Sequence, residues 1–266
     1  YISRVISVPT RGFLDVMTHL FDRLVGTTVC VKAAMALTLS LSQPAGAMTG
    51  CARDAMLVLD GSASMSEIGF DASAPTRIDD ARAALARAMP RIAEIRRVGL
   101  LTYGPGGPDA CSGINLRFGP IAGAAGPIIA AAERLRPGGL TPLAASVRAA
   151  ADALNYRTTP GIVVLVTDGN ETCGGRPCAL GTELAAESAG LTVHVVGFRV
   201  QYDPFAWDNP EAQTYDGGAV VAKCLSDRTG GLYVDTQTVD ELADALEALL
   251  GCTVVGQRRD DPSGPG

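Results

Sequence analysis

Met56-Leu57-Val58-Leu59-Asp60-Gly61-Ser62-Ala63-Ser64-Met65-Ser66 joins two kinds of chain in eleven residues. Met56 to Leu59 run without a polar interruption, the pattern of a strand buried on both faces of a sheet. The run stops at Asp60, after which Ser62 and Ser64 alternate with the small residues Gly61 and Ala63. A carboxylate and two hydroxyls at alternating positions can converge on one point. Oxygen ligands at the tip of a buried strand suit a hard divalent cation. The competing reading is a polar turn with Asp60 as an ordinary cap, and this stretch alone does not separate the two.

The surrounding elements alternate. Ile78, Ala81, Leu85, Ala88, Ile92 and Ile95 recur at helical spacing. Val98–Tyr103 reads as an apolar strand, ended by Gly104–Pro108. Ile114, Leu116 and Phe118 alternate with Asn115 and Arg117, the pattern of a half-exposed strand. With only a short loop between them, these two strands should pair antiparallel, with the second at an edge. Ile128 to Leu135 suggests a helix, and Thr141-Pro142 opens another, with Thr141 as cap and Pro142 at the first helical position. Gly161–Thr167 is a second fully apolar strand, ending in Thr167-Asp168-Gly169. A helix over Ala179–Ala189, a strand over Leu191–Phe198 and a short strand at Leu232-Tyr233-Val234 follow. The last helix carries a Thr238/Glu241 capping box and stops at Gly251. His194, among Val193, Val195 and Val196, reads as a core or cross-strand residue rather than a catalytic one.

This order specifies an α/β fold: a three-layer, doubly wound, Rossmann-like sheet, mostly parallel, with one antiparallel edge strand. The working site of such a sheet lies beyond the carboxyl ends of its strands. Asp60, Ser62, Ser64, Thr141 and Asp168 should therefore meet at one rim. With water, two carboxylates and three hydroxyls make an octahedral set for Mg²⁺, with Mn²⁺ or Ca²⁺ as alternatives.

At 266 residues and 47% hydrophobic, the chain can bury one sizeable core. A net charge of −6 and 5% aromatic content argue against a nucleic-acid partner. There is no dinucleotide or phosphate-loop motif, so no small-molecule cofactor is expected. Residues 1–47 read as a leader, with Arg23, an apolar Val29–Leu41 segment and an Ala45-Gly46-Ala47 cleavage site. Its removal takes away four basic and two acidic residues and leaves residues 48–252 as one acidic domain. The polar, Pro/Gly-rich 253–266 reads as a disordered tail. Export to a periplasmic or extracellular compartment is expected, with membrane contact only through a retained leader or a lipid on Cys51.

Of seven cysteines, six lie beyond the leader, an even number that suits an oxidising compartment. Cys173-Gly-Gly-Arg-Pro-Cys178 is the favoured pair by spacing. A Cys51–Cys252 bridge would staple the domain's ends, and Cys111 and Cys224 have no assigned partner. The aromatic loop Gln201–Tyr215 follows a strand that should end at the same rim. Its Tyr202, Phe205 and Trp207 would either flank the cation and select a partner or fold over a neighbouring helix.

Asp-x-Ser-x-Ser at 60–64, Leu140-Thr141-Pro142 and Thr167-Asp168-Gly169 together resemble the von Willebrand factor type A domain and match its metal-ion-dependent adhesion site. The resemblance covers about Ala55 to Gly251 and extends to exported bacterial members. It implies a non-enzymatic, metal-dependent adhesion or scaffold module in which a Glu or Asp of a protein partner completes the cation's shell. It also implies that the last helix, Val239–Leu250, can shift when the partner engages. Two alternatives are a structural domain whose metal only stiffens the fold, and a metal-assisted hydrolase or phosphatase. The latter wants a second acid two positions after Asp60, where Ser62 stands, and a histidine base at the rim.

Overall fold

The computed structural model describes residues 53–68, 73–200, 211 and 221–251, all within one compact unit. Strands β1 (Asp54–Asp60), β2 (Val98–Tyr103), β3 (Ile114–Ile121), β4 (Gly161–Thr167), β5 (Leu191–Phe198) and β6 (Tyr233–Thr236) form one sheet in the order β3-β2-β1-β4-β5-β6. All neighbours are parallel except β2 and β3, so β3 is the antiparallel edge. The β2–β3 connection, residues 104–113, is longer than a tight turn and carries Cys111.

Among the described residues, six α-helices cover the two faces: α1 (Arg77–Ile95), α2 (Ala125–Arg134), α3 (Leu143–Ala153), α4 (Pro177–Glu187), α5 (Lys223–Thr229) and α6 (Val239–Leu250). Alternate strand residues divide between two cores, because successive side chains leave a strand on opposite faces. Leu57, Leu59, Val164, Val166 and Phe198 pack with α1, α2 and α6. Met56, Val58, Val163, Leu165 and Val195 pack with α3, α4 and α5. This two-sided burial explains the uninterrupted apolar runs.

Two helix starts differ from the sequence expectation. Helix α3 begins at Leu143, with Pro142 (φ −79°, ψ 62°) as its N-cap, so Thr141 stands outside the helix and is not a cap. The Pro142 carbonyl accepts the Ser146 N–H and hydroxyl instead. Helix α4 begins at Pro177, and buried Glu211 accepts the Cys178 and Ala179 N–H groups at its first turn. The capping box of α6 is formed as expected. Arg96 ties the domain's ends together: its guanidinium donates to the carbonyls of Arg53, Leu250 and Gly251.

The disulfide expectation is corrected. Cys173 pairs with Cys111, and Cys178 with Cys224, at Cα separations of 5.6 and 4.9 Å. Pro177 starts α4 and Cys178 lies in its first turn, facing α5, while Cys173 remains in the loop facing the β2–β3 connection. Sequence nearness across the Gly-Gly-Arg-Pro spacer therefore does not become side-chain nearness. The Cys51–Cys252 pair, the leader and the tail lie outside the described residues.

Candidate metal centre at the strand tips

Parallel register brings the tips of β2, β1 and β4 level. Asp60 pairs with Tyr103, and Leu59 pairs with Thr102 and Val166, so Thr167 falls on Asp60's other side. Tyr103 and Thr167 both donate hydroxyls to Asp60 Oδ2, each at 2.8 Å. Asp60 Oδ1 accepts the Ser62 N–H at 2.7 Å. Three donors orient a carboxylate that is fully buried. Burial, then the charge of Asp60, pushes the Tyr103 hydroxyl well above its usual range, so it remains a donor.

Beyond Asp60, a chain of oxygens crosses from β1 to β4. Ser62 Oγ lies 3.1 Å from Ser64 Oγ, and Ser64 Oγ donates to Asp168 Oδ1 at 2.8 Å. Arg77, from the start of α1, donates to Asp168 Oδ2 at 2.9 Å, to the Ser64 carbonyl at 3.1 Å and to Glu67 Oε2 at 3.0 Å. Burial first, then the Asp60 carboxylate, raises the Asp168 carboxyl to about 6, against the opposing pull of Ser64 and Arg77.

Thr141 reaches this rim through its neighbours. Gly138 N–H donates to the Gly61 carbonyl, and Ala63 N–H to the Gly139 carbonyl, so the segment before Thr141 is laced to the Asp60 loop. Thr141 itself is buried and paired through its backbone with Thr172: its N–H donates to Thr172 Oγ1, and its carbonyl accepts the Thr172 N–H. The backbones are pressed together here. Gly139 (φ 72°) packs so tightly on Gly104 that a Cβ would overlap the Gly104 carbonyl. The Cys111–Cys173 bridge adds a covalent tie between the β2–β3 connection and the loop following Asp168.

These residues fit a hard cation. Oxygens adjacent in an octahedral Mg²⁺ shell lie about 3 Å apart, given bonds of about 2.1 Å. The Ser62–Ser64 and Ser64–Asp168 separations match that spacing. Asp168 and Glu67 share the Arg77 guanidinium, and the Asp60 carboxylate adds a further negative charge close enough to raise the Asp168 carboxyl. Asn170 Oδ1, two residues past Asp168, is a buried oxygen without a donor.

Residues 55–171 match the von Willebrand factor type A domain model. That match includes all five candidate ligands. YwmD of Bacillus subtilis, an uncharacterised protein, is 31% identical over 117 residues, 43% of this chain and 46% of that relative. The chain therefore spans less than half the length of this curated relative. BatB from Bacteroides thetaiotaomicron superposes with a TM-score of 0.52 at 14% identity, covering 74% of this chain and 97% of the other. The pilus adhesin SpaC from Lactobacillus rhamnosus GG gives 0.53 at 16% identity, covering 74% and 30%. At these identities each likeness is one of fold alone, the fold carried here by the six-stranded, mostly parallel sheet.

Within the matched segment, Asp60, Ser62, Ser64 and Asp168 share one hydrogen-bonded cluster, and Thr141 belongs to a stretch bonded to it. Tyr202, Phe205 and Trp207 lie outside the described residues. His194 sits mid-strand, where Nδ1 accepts the Leu232 N–H and links β5 to the approach of β6. Sequence reading missed Tyr103, Thr167 and Arg77 as partners of the carboxylates. A polar ring at the end of the apolar β2 signalled Tyr103. An arginine at a helix N-terminus, where the dipole favours acids, signalled Arg77.

Proposed function

We propose that this rim is a cation-mediated docking site for another protein. Asp60, Ser62, Ser64, Thr141 and Asp168 would hold the cation, with Mg²⁺ as the first choice. The partner would supply a Glu or Asp. The observation that carries this reading is the Ser62–Ser64–Asp168 oxygen chain set beside Asp60 with octahedral edge lengths. When bound, the cation supplies a Lewis-acidic centre. Hydroxyl ligands add no charge, so much of the cation's charge remains available to an external carboxylate. The three donors on Asp60 would keep that ligand from rotating away.

The family match and the fold likeness to a pilus adhesin are in keeping with a binding module. Disulfides at Cys111–Cys173 and Cys178–Cys224 accord with an exported protein in an oxidising compartment. Among the described residues, no helix is long and apolar enough to cross a membrane.

One observation favours a second reading, in which the cation only stiffens the rim. Asp60, Ser62 and Asp168 are at most 3% exposed, and only Ser64 of that cluster is half-buried. Titration of the metal-stripped chain with Mg²⁺, Mn²⁺ and Ca²⁺ tests the site, with Asp60→Ala as control. Capture from cell-surface extracts with and without Mg²⁺ then tests docking. A partner lost with EDTA and with Asp60→Ala supports docking. Lower melting in EDTA with the same partner retained supports stiffening.

A further inference from the structure

Arg77 is the first residue of α1, an unfavourable place for a cation because the helix N-terminus carries partial positive charge. Its side chain is nevertheless only 6% exposed. A buried guanidinium persists when its charge is matched, and here the match is Asp168. One nitrogen, Nη1, meets three oxygens within 3.1 Å: Asp168 Oδ2, Glu67 Oε2 and the Ser64 carbonyl. With two hydrogens for three acceptors, Arg77 is held by a shared set of bonds rather than a single ideal pair. The carboxylate it neutralises is one that the proposed divalent cation also needs.

We propose that Arg77 is a built-in competitor of the divalent cation. Its guanidinium compensates Asp168 in the metal-free protein and lowers the affinity of the site for metal through its fixed charge. This inference rests on the reading of the Asp60–Asp168 cluster as a cation site. It accounts for two otherwise unrelated features: a basic residue at a helix start, and an Asp168 carboxylate whose two oxygens are both hydrogen-bonded within the chain. It also makes occupancy sensitive to cation concentration, since binding must offset a charge already in place.

The test measures Mg²⁺ and Mn²⁺ binding calorimetrically on the full, metal-stripped chain, together with its melting in EDTA. Wild type is compared with Arg77→Gln, Arg77→Met and Arg77→Lys. The neutral variants should bind cations roughly tenfold tighter or more, the scale on which a unit charge at this range shifts a carboxylate's proton affinity. Arg77→Lys, which keeps the charge, should stay near wild type. In EDTA the neutral variants should melt lower, and saturating Mn²⁺ should raise their melting temperature more than that of wild type. Met preserves the volume of the stem should Gln prove poorly folded. Neutral variants that bind only when wild type does not would make Arg77 the resident cation and support the inference. Wild-type binding with unchanged or weaker affinity in the folded neutral variants overturns it while leaving the metal reading intact. No binding by any of these proteins overturns both.

Discussion

The hydroxyl of Tyr103 donates to Asp60 Oδ2 across 2.8 Å, joining the tips of β2 and β1 beneath the candidate cation site. Both residues are fully buried, so water cannot replace the bond if it is removed. Tyr103→Phe should destabilise the protein by about 2 kcal/mol, as for a hydrogen bond to a charged acceptor. Urea denaturation at neutral pH in EDTA measures the loss. An unchanged midpoint would mean that Thr167 and the Ser62 N–H suffice to hold Asp60.

Asp168 sets a pH dependence of defined sign. Its folded carboxyl is raised to about 6 by burial and Asp60, whereas an unfolded aspartate titrates near 3.8. Between those values the folded state keeps a proton that the unfolded state has lost, so this group's contribution is complete below about pH 4. It is lost as pH climbs through 6, by about 2–3 kcal/mol in total. In EDTA, wild type should therefore lose stability relative to Asp168→Asn between pH 4 and 7. A flat difference would show that the Asp168 carboxyl is not raised in the folded protein. Cation affinity should rise over the same interval, because the metal needs the ionised carboxylate.

The pairing of Cys111 with Cys173 closes 62 residues of chain and stitches together two loops at the rim. Replacing both by Ser should cost about 2–4 kcal/mol, the usual range for a bridge of this span. Peptide mapping under non-reducing conditions should recover Cys111–Cys173 and Cys178–Cys224. Recovery of a Cys173–Cys178 peptide would contradict the fold around the start of α4.

Gly139 combines a left-handed backbone with contact against the Gly104 carbonyl. Gly139→Ala meets both the φ penalty and the overlap, so a loss of about 1–3 kcal/mol is expected. Gly126 has open space around its Cβ position and an ordinary helical setting in α2, so Gly126→Ala serves as the control and should be neutral or stabilising. Equal thermal shifts for the two variants would remove the structural role assigned to the Gly104–Gly139 contact.

Asp60 and Asp168 were legible because each ends an uninterrupted apolar run, and a sheet of parallel strands presents such ends on one rim. The edge position of β3 was legible in the same way, from alternation within one short segment. Periodicity and strand-end chemistry are local properties, carried by neighbours along the chain. What only the tertiary structure decided were contacts between distant segments. Tyr103 meets Asp60 because parallel register levels β2 with β1. Arg77 meets Asp168 across 91 positions because α1 starts beside the tip of β4. Cys173 turns from the nearby Cys178 to the distant Cys111 because Pro177 begins a helix between them. Sequence separation carries no information about which side chains a helix start or a strand register will bring within bonding distance. The strand-tip carboxylates and hydroxyls could therefore be read from the chain, whereas the groups that orient, neutralise and staple them emerged only from the fold.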